Sequence, residues 1–137
     1  MLPVLIENTP GAMTTSERLR IFREQTHLDL HYCFDVANAH MTESIEVAFD
    51  AMKDRIRSTH IHDSDGKSAS HLFPLLNGTG GTIDWAATMK LLATRAGQYP
   101  LVLELNEVAD MQNPLEAAVT VFEKLTELSM VTSEVEE

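Results

Sequence analysis

Residues 28–52 read LDLHYCFDVANAHMTESIEVAFDAM, and this stretch decides the fold class. Its first part is an apolar run, residues 28–34, which ends at Asp35 and predicts a buried strand. Apolar residues then recur at helical spacing as far as Met52, with Thr42 as the expected N-cap of that helix. The stretch is therefore one strand followed by one helix.

The same order occurs three more times along the chain. The other apolar runs are residues 2–6, 56–61 and 101–105. The expected helix starts are Thr14 with Glu17 as a capping box, Asp84 as an N-cap, and Asn113 before Pro114. The last helix should bury a stripe formed by Leu115, Ala118, Phe122 and Leu125. Four strand–helix units predict a parallel sheet with right-handed crossovers, either an open flavodoxin-like sheet or part of a barrel.

Composition narrows the function class. The 137 residues are 44% hydrophobic and 23% charged, which is typical of a globular domain. A formal net charge of −11 makes nucleic acid and anionic membranes unlikely partners, because both require clustered Lys and Arg. The single cysteine, Cys33, excludes an internal disulfide framework and fits a reducing compartment. No apolar run has membrane-spanning length and no signal-peptide pattern opens the chain, so we expect a cytoplasmic domain over residues 1–130 with a frayed acidic tail at 131–137.

Each predicted strand ends near a residue that can bind a divalent metal. These residues are Glu7, Asp35, His60 and Glu104. One acidic residue after a strand is more often a helix cap, but four in four successive units favour a shared site at the carboxyl ends of the strands. Three carboxylates and one imidazole suit Mn²⁺ or Mg²⁺, with Co²⁺ or Zn²⁺ as further options, whereas the lack of thiolates argues against structural zinc.

Several local motifs resemble one known superfamily. They are LIENTPG at 5–11, FDVANAH at 34–40, THIHD at 59–63, His71 followed by GTGGTIDW at 78–85, and VLE at 102–104. In order and spacing they are similar to the xylose isomerase-like TIM barrels, which include sugar-phosphate isomerases and epimerases and the endonuclease IV enzymes. The resemblance implies an α/β fold whose four β–α units form the C-terminal half of a (β/α)₈ barrel.

The resemblance also implies roles for individual residues. Glu7 and Glu104 would bind the metal and also move the substrate proton beside a carbonyl, through an enediolate, in a sugar or sugar-phosphate isomerase or epimerase. The contacts to substrate would come from Asn38, His40 and His71, while His62 is expected to make a supporting contact behind the ligands.

The sequence departs from the family pattern in two places. Asn38 stands where the family often has histidine, which favours, as an alternative, a non-catalytic half-barrel module. Ala69 stands two residues before His71, where the nuclease branch has aspartate, so an endonuclease IV-like phosphodiesterase is the lower alternative.

Length raises the question of a partner. A complete barrel has eight units and roughly 250 residues, so four units leave two unpaired sheet edges. The sequence leaves open a second copy of the chain, a separate N-terminal half, or a truncated product.

Overall fold

The computed structural model describes residues 3–95 and 100–130, in which strands and helices alternate. The strands are β1 (Val4–Glu7), β2 (Leu30–Asp35), β3 (Ile56–Ile61) and β4 (Leu101–Leu103). The helices are α1 (Ser16–Gln25), α2 (Val36–Thr42), α3 (Ile45–Met52), α4 (Trp85–Ala93) and α5 (Pro114–Met130). All four strands pair in parallel in the order β1-β2-β3-β4, which confirms the predicted α/β fold. The expected tail at 131–137 lies outside the described residues, and no described helix is long and apolar enough to cross a bilayer.

Helix α2 was not predicted from the sequence. The Asp35 side chain accepts a hydrogen bond from the backbone N–H of Asn38 and so starts a helix directly at the end of β2. Thr42 is the last residue of α2, and the prediction that it caps the next helix is wrong. Ser44 caps α3 instead, its side chain accepting from the N–H of Val47.

Of the predicted starts of α4 and α1, the first is confirmed and the second is wrong. Asp84 caps α4 as predicted, by accepting from the N–H of Ala87. The N-cap of α1 is Thr15, and it makes no side-chain capping bond. Thr14 is engaged with Thr9 in the preceding turn, so the expected capping box does not form.

The core lies between the sheet and the helices that cover one of its faces. Its largest buried members include Tyr32, Phe34, Phe49, Ile61 and Met89. Alternation along the strands assigns Tyr32 and Phe34 to this helix-covered face, whereas the strand-end ligands belong to the opposite face.

Helix α5 buries only part of the predicted stripe: Leu125 is buried and Ala118 is partly buried against the core, as expected. Val121 and Leu125 are buried, whereas Leu115 and Phe122 are 79% and 41% exposed. The helix is rotated so that Val121 and Leu125 enter the core, and Leu115 and Phe122 face outward.

The long loop between β3 and α4 is held by Asp63. The backbone of Asp63 forms an antiparallel bridge with Leu72, and its carboxylate accepts from the N–H of Ile83 and from Trp85 Nε1 at 2.8 Å. A Cβ atom on Gly81 would collide with this carboxylate, so the loop path requires glycine there. The loop therefore returns to the end of the sheet at a fixed position.

Candidate metal centre

The structure brings the four strand-end residues together. Glu7 and Asp35 end their strands, His60 is the penultimate residue of β3, and Glu104 directly follows β4. One potential ligand atom from each of these residues lies within 4.8 Å of the others. Parallel pairing aligns Asp35 with His60, and period-two alternation directs all four side chains to one face. We call these residues the ligand group; metal binding by them stays a prediction.

His60 lies at the middle of the ligand group. Its Nδ1 is 2.8 Å from Glu7 Oε1, 3.2 Å from Glu104 Oε2 and 3.9 Å from Asp35 Oδ2. Burial lowers the pKa of His60, but the hydrogen bond and charge of Glu7, with the charges of Glu104 and Asp35, outweigh it and raise the pKa overall. A proton on Nδ1 therefore partly neutralises the surrounding carboxylates.

Glu7 is the second group whose protonation is perturbed. Burial is the main cause that raises its pKa, and the neighbouring Asp35 adds to the effect, while His60 opposes it. Glu7 therefore binds a proton more tightly in the folded, metal-free chain than a fully solvated glutamate does.

Asp35 is fully buried and acts both as a helix cap and as a member of the ligand group. Both of its carboxylate oxygens lie 2.9 Å from Nε2 of His62, which is itself fully buried. His62 is thus the supporting contact expected from the sequence. Because the Asp35 side chain also caps α2, its orientation is set before any cation arrives.

An asparagine pair ties the ends of β1 and β2 together. Asn8 exchanges two hydrogen bonds with the backbone of Asp35, donating from Nδ2 at 3.0 Å and accepting at Oδ1 at 2.8 Å. Asn38 Nδ2 donates to the Asn8 carbonyl at 2.8 Å. The sequence reasoning missed the role of Asn8; its only signal was a polar residue directly after a strand-end glutamate.

The two other residues expected to bind substrate lie in different surroundings. His71 stacks on His62, with ring centroids 4.1 Å apart, and its Nδ1 is 3.8 Å from Glu104 Oε2. Together with Glu104 these histidines form a second group whose potential ligand atoms lie within 4.8 Å of one another. His40 Nε2 instead lies 2.8 Å from the Thr82 hydroxyl and links α2 to the long loop. Substrate binding by Asn38, His40 and His71 stays a prediction.

The donor set of the ligand group fits a divalent cation. Three carboxylates surround one imidazole, and a cation that replaced the His60 proton would offset more negative charge than that proton does. Carboxylate oxygens with a single imidazole nitrogen match Mn²⁺ or Mg²⁺ better than a soft-ligand metal.

The geometry agrees with what a family comparison finds. A family model described as xylose isomerase-like TIM barrel matches residues 2–127. The chain belongs to this family. The expected resemblance is thereby confirmed over nearly the whole chain.

Solved structures of similar fold include several sugar epimerases. A D-tagatose 3-epimerase-like protein superposes with a TM-score of 0.75 at 19% identity, over 97% of this chain and 49% of its own. An L-ribulose 3-epimerase gives a TM-score of 0.70 at 16% identity, over 99% and 52%. The Escherichia coli 3-keto-D-glucoside 4-epimerase YcjR gives 0.66 at 19% identity, over 91% and 46%.

These superpositions define what part of a barrel the chain represents. The xylose isomerase-like chain spans about half the length of the solved structures that it matches. Its four parallel strands therefore correspond to half of a TIM barrel. Comparison with curated sequences gave no significant match.

Proposed function

We propose that this chain carries the metal site of a sugar or sugar-phosphate isomerase or epimerase, with Mn²⁺ or Mg²⁺ held by Glu7, Asp35, His60 and Glu104. The observation that supports this most strongly is the convergence of one ligand atom from each residue to within 4.8 Å. When bound, the cation would polarise the carbonyl and hydroxyl oxygens of a sugar and so acidify the adjacent C–H.

The two glutamates are suited to move the proton. Glu7 ends one edge strand and Glu104 follows the other, with Asp35 and His60 between them. A small sugar bound over the ligand group would therefore meet carboxylates that approach from opposite edges of the sheet, as removal of a proton from one face and its return to the other requires. Glu104, 46% exposed at its side chain, is accessible as the base, and Glu7 at the opposite edge of the sheet would return the proton.

The sugar would be recognised by side chains around the ligand group. His71 lies beside Glu104, with its Nδ1 3.2 Å from the Glu104 backbone carbonyl, so Nε2 is the ring nitrogen that remains for a sugar hydroxyl near the proposed base. Asn38 and His40 already use side-chain nitrogens in contacts to Asn8 and Thr82, so substrate binding by either residue requires its remaining polar atoms.

Solvent exchange tests the reaction without requiring the natural substrate. A panel of ketoses and ketose phosphates would be incubated in D₂O with Mn²⁺, and deuterium at the carbon beside the carbonyl measured by NMR. We expect exchange with at least one sugar and its loss in Glu104→Gln with the circular dichroism spectrum retained. Glu107→Gln, three residues further along in an exposed segment, is the matched control and should keep the exchange.

A second candidate is a metal-binding module without turnover. It is favoured by Asn38, whose side chain is used to hold Asn8 rather than to carry a proton. Stoichiometric Mn²⁺ binding by calorimetry, without deuterium exchange in any sugar of the panel, would support this candidate over the isomerase.

A further inference from the structure

The long loop between β3 and α4 contains two pairs of residues that can react within the backbone. Asn77 precedes Gly78, Asp65 precedes Gly66, and no other Asn–Gly or Asp–Gly pair occurs in the sequence. In such pairs the backbone nitrogen of the glycine can attack the side-chain carbonyl carbon of the preceding residue, because glycine has no side chain that hinders ring closure. Both pairs can therefore form a cyclic succinimide, and their surroundings decide which of them does.

The Asn77–Gly78 pair lies at the exposed tip of the loop. Both residues are exposed, and neither the Asn77 amide nor the Gly78 backbone N–H forms a hydrogen bond within the residues that the structure describes. Gly78 has a φ of +82°, and a Cβ atom placed on it would meet nothing within 4 Å. The attacking nitrogen, the amide and the space for ring closure are thus all available in the folded chain.

The Asp65–Gly66 pair is held by hydrogen bonds of its own. The backbone N–H groups of Ser68 and Lys67 each donate to Asp65 Oδ1 at 2.8 Å. These two bonds lower the pKa of Asp65, and a carboxyl group that stays ionised is a poor electrophile. The N–H of Gly66 donates to Ser64 Oγ at 3.0 Å, so the attacking nitrogen is engaged as well.

We propose that Asn77 is a site of spontaneous deamidation in the folded protein, whereas the fold protects Asp65 from the matching isomerisation. The Gly78 nitrogen gives up its proton to solvent base and attacks Cγ of Asn77, the Cγ–Nδ2 bond breaks, and ammonia leaves. Water then adds to either carbonyl of the succinimide and opens the ring, which gives aspartate or isoaspartate at position 77. The reaction consumes only water and requires neither the ligand group nor a metal.

The reaction would change the loop tip in charge and in backbone length. Asn77 lines a cavity of about 320 Å³ together with Asp63, Leu75 and Trp85. Either product adds a carboxylate there, in a chain whose formal net charge is already −11, and isoaspartate also inserts an extra carbon atom into the backbone. Isoaspartate is the group that isoaspartyl methyltransferases recognise, so an enzyme of this class becomes a partner of the aged chain.

Peptide mapping by mass spectrometry tests the proposal on the full chain, aged in mildly alkaline heavy-oxygen water with EDTA, once folded and once unfolded in urea. We expect Asn77 to lose its amide and gain heavy oxygen in the folded chain at a rate within about tenfold of that in urea, because an exposed loop tip reacts without local unfolding. Asp65 should take up heavy oxygen in urea only. Asn106, exposed and followed by Glu107, is the internal control and should keep its amide.

The comparison of folded and unfolded chain decides the outcome. An Asn77 amide that persists in the folded chain while it is lost in urea overturns the proposal, since the fold would then protect the tip. Equal uptake at Asp65 in both states overturns the proposed protection of that residue. A purified isoaspartyl methyltransferase should methylate the aged wild-type chain and leave aged Asn77→Gln unmodified, because the longer side chain closes its ring far more slowly. Absence of methylation in a deamidated wild-type chain would overturn the proposed partner.

Discussion

The centre of the sheet and its two edges contribute different kinds of residue to the same site. At the centre, Asp35 is fully buried and is held by both Asn38 and His62. At the edges, Glu7 and Glu104 are 32% and 46% exposed at their side chains. The residue at the centre is thus fixed by the fold of this chain, whereas the residues proposed to move protons lie at the edges, where solvent reaches them.

The largest expected effect comes from replacing Asp35 at the centre of the sheet. Asp35→Ala would leave His62 buried opposite an empty position and remove the cap of α2, so we expect the free energy of unfolding to fall by about 3–5 kcal/mol. Glu104→Ala, at an edge, should change it by less than about 1 kcal/mol. Urea denaturation followed by circular dichroism measures both, and equal losses would contradict the distinction between centre and edge.

A smaller effect should follow from changing the support of Asp35 while keeping the carboxylate. We expect His62→Gln to lower Mn²⁺ affinity by about 10–100-fold, because the carboxylate loses the imidazole that orients both of its oxygens. His71→Gln removes the stacked neighbour of His62, and it should cost less affinity because the contact to Asp35 is retained. Titration calorimetry compares the two variants, and a reversed order would show that the loop rather than the centre orients the site.

Proton release should couple pH to both stability and metal binding. The raised pKa values of His60 and Glu7 mean that the folded, metal-free chain binds protons more tightly than the unfolded chain. The contribution of His60 to stability is present below its ordinary pKa of 6.5 and is lost as pH rises through its raised folded value; for Glu7 the loss begins above 4.5.

The expected measurement is a pair of opposite pH trends. Metal-free stability should fall as pH rises through this window, while Mn²⁺ affinity should increase by up to about tenfold per pH unit, since the metal replaces the His60 proton. Thermal unfolding with EDTA and with Mn²⁺ measures both trends. His60→Gln should remove most of the pH dependence of binding, and an unchanged slope in that variant would assign the proton elsewhere.

The smallest effect is expected at the edge itself. Val4→Thr alters a 53% exposed side chain on β1 and should change the free energy of unfolding by no more than about 0.5 kcal/mol. Ile61→Thr, at a fully buried position of β3, is the comparison and should lower the free energy of unfolding several times more. Similar values for both would mean that the edge is covered in solution.

Much of this architecture follows from local sequence. Parallel strands that alternate with helices must bring their carboxyl ends to one rim, so the grouping of Glu7 with His60 and Glu104 was predictable. Local sequence patterns could not show that one residue has two roles. Asp35 was predicted as a ligand from its place after a strand, and nothing in the spacing showed that it would also cap α2.

Two further features depended on contacts between distant parts of the chain. Apolar periodicity in α5 allows more than one stripe; Leu125 is buried as predicted, but packing against α4 buries Val121 in place of Leu115 and Phe122. The bonding of Asn8 to Asp35 links residues 27 positions apart, which a reading of successive motifs does not connect.

The anchoring of the long loop has a consequence for protein engineering. The Asp63 carboxylate holds the start of the loop through Ser64 and its end through Ile83 and Trp85, and its position requires glycine at Gly81. It makes no hydrogen bond to the tip of the loop at 75–80. A library that varies the tip while keeping Asp63, Gly81, Trp85 and the positive-φ glycines Gly78 and Gly80 would sample new loop surfaces without loosening the scaffold.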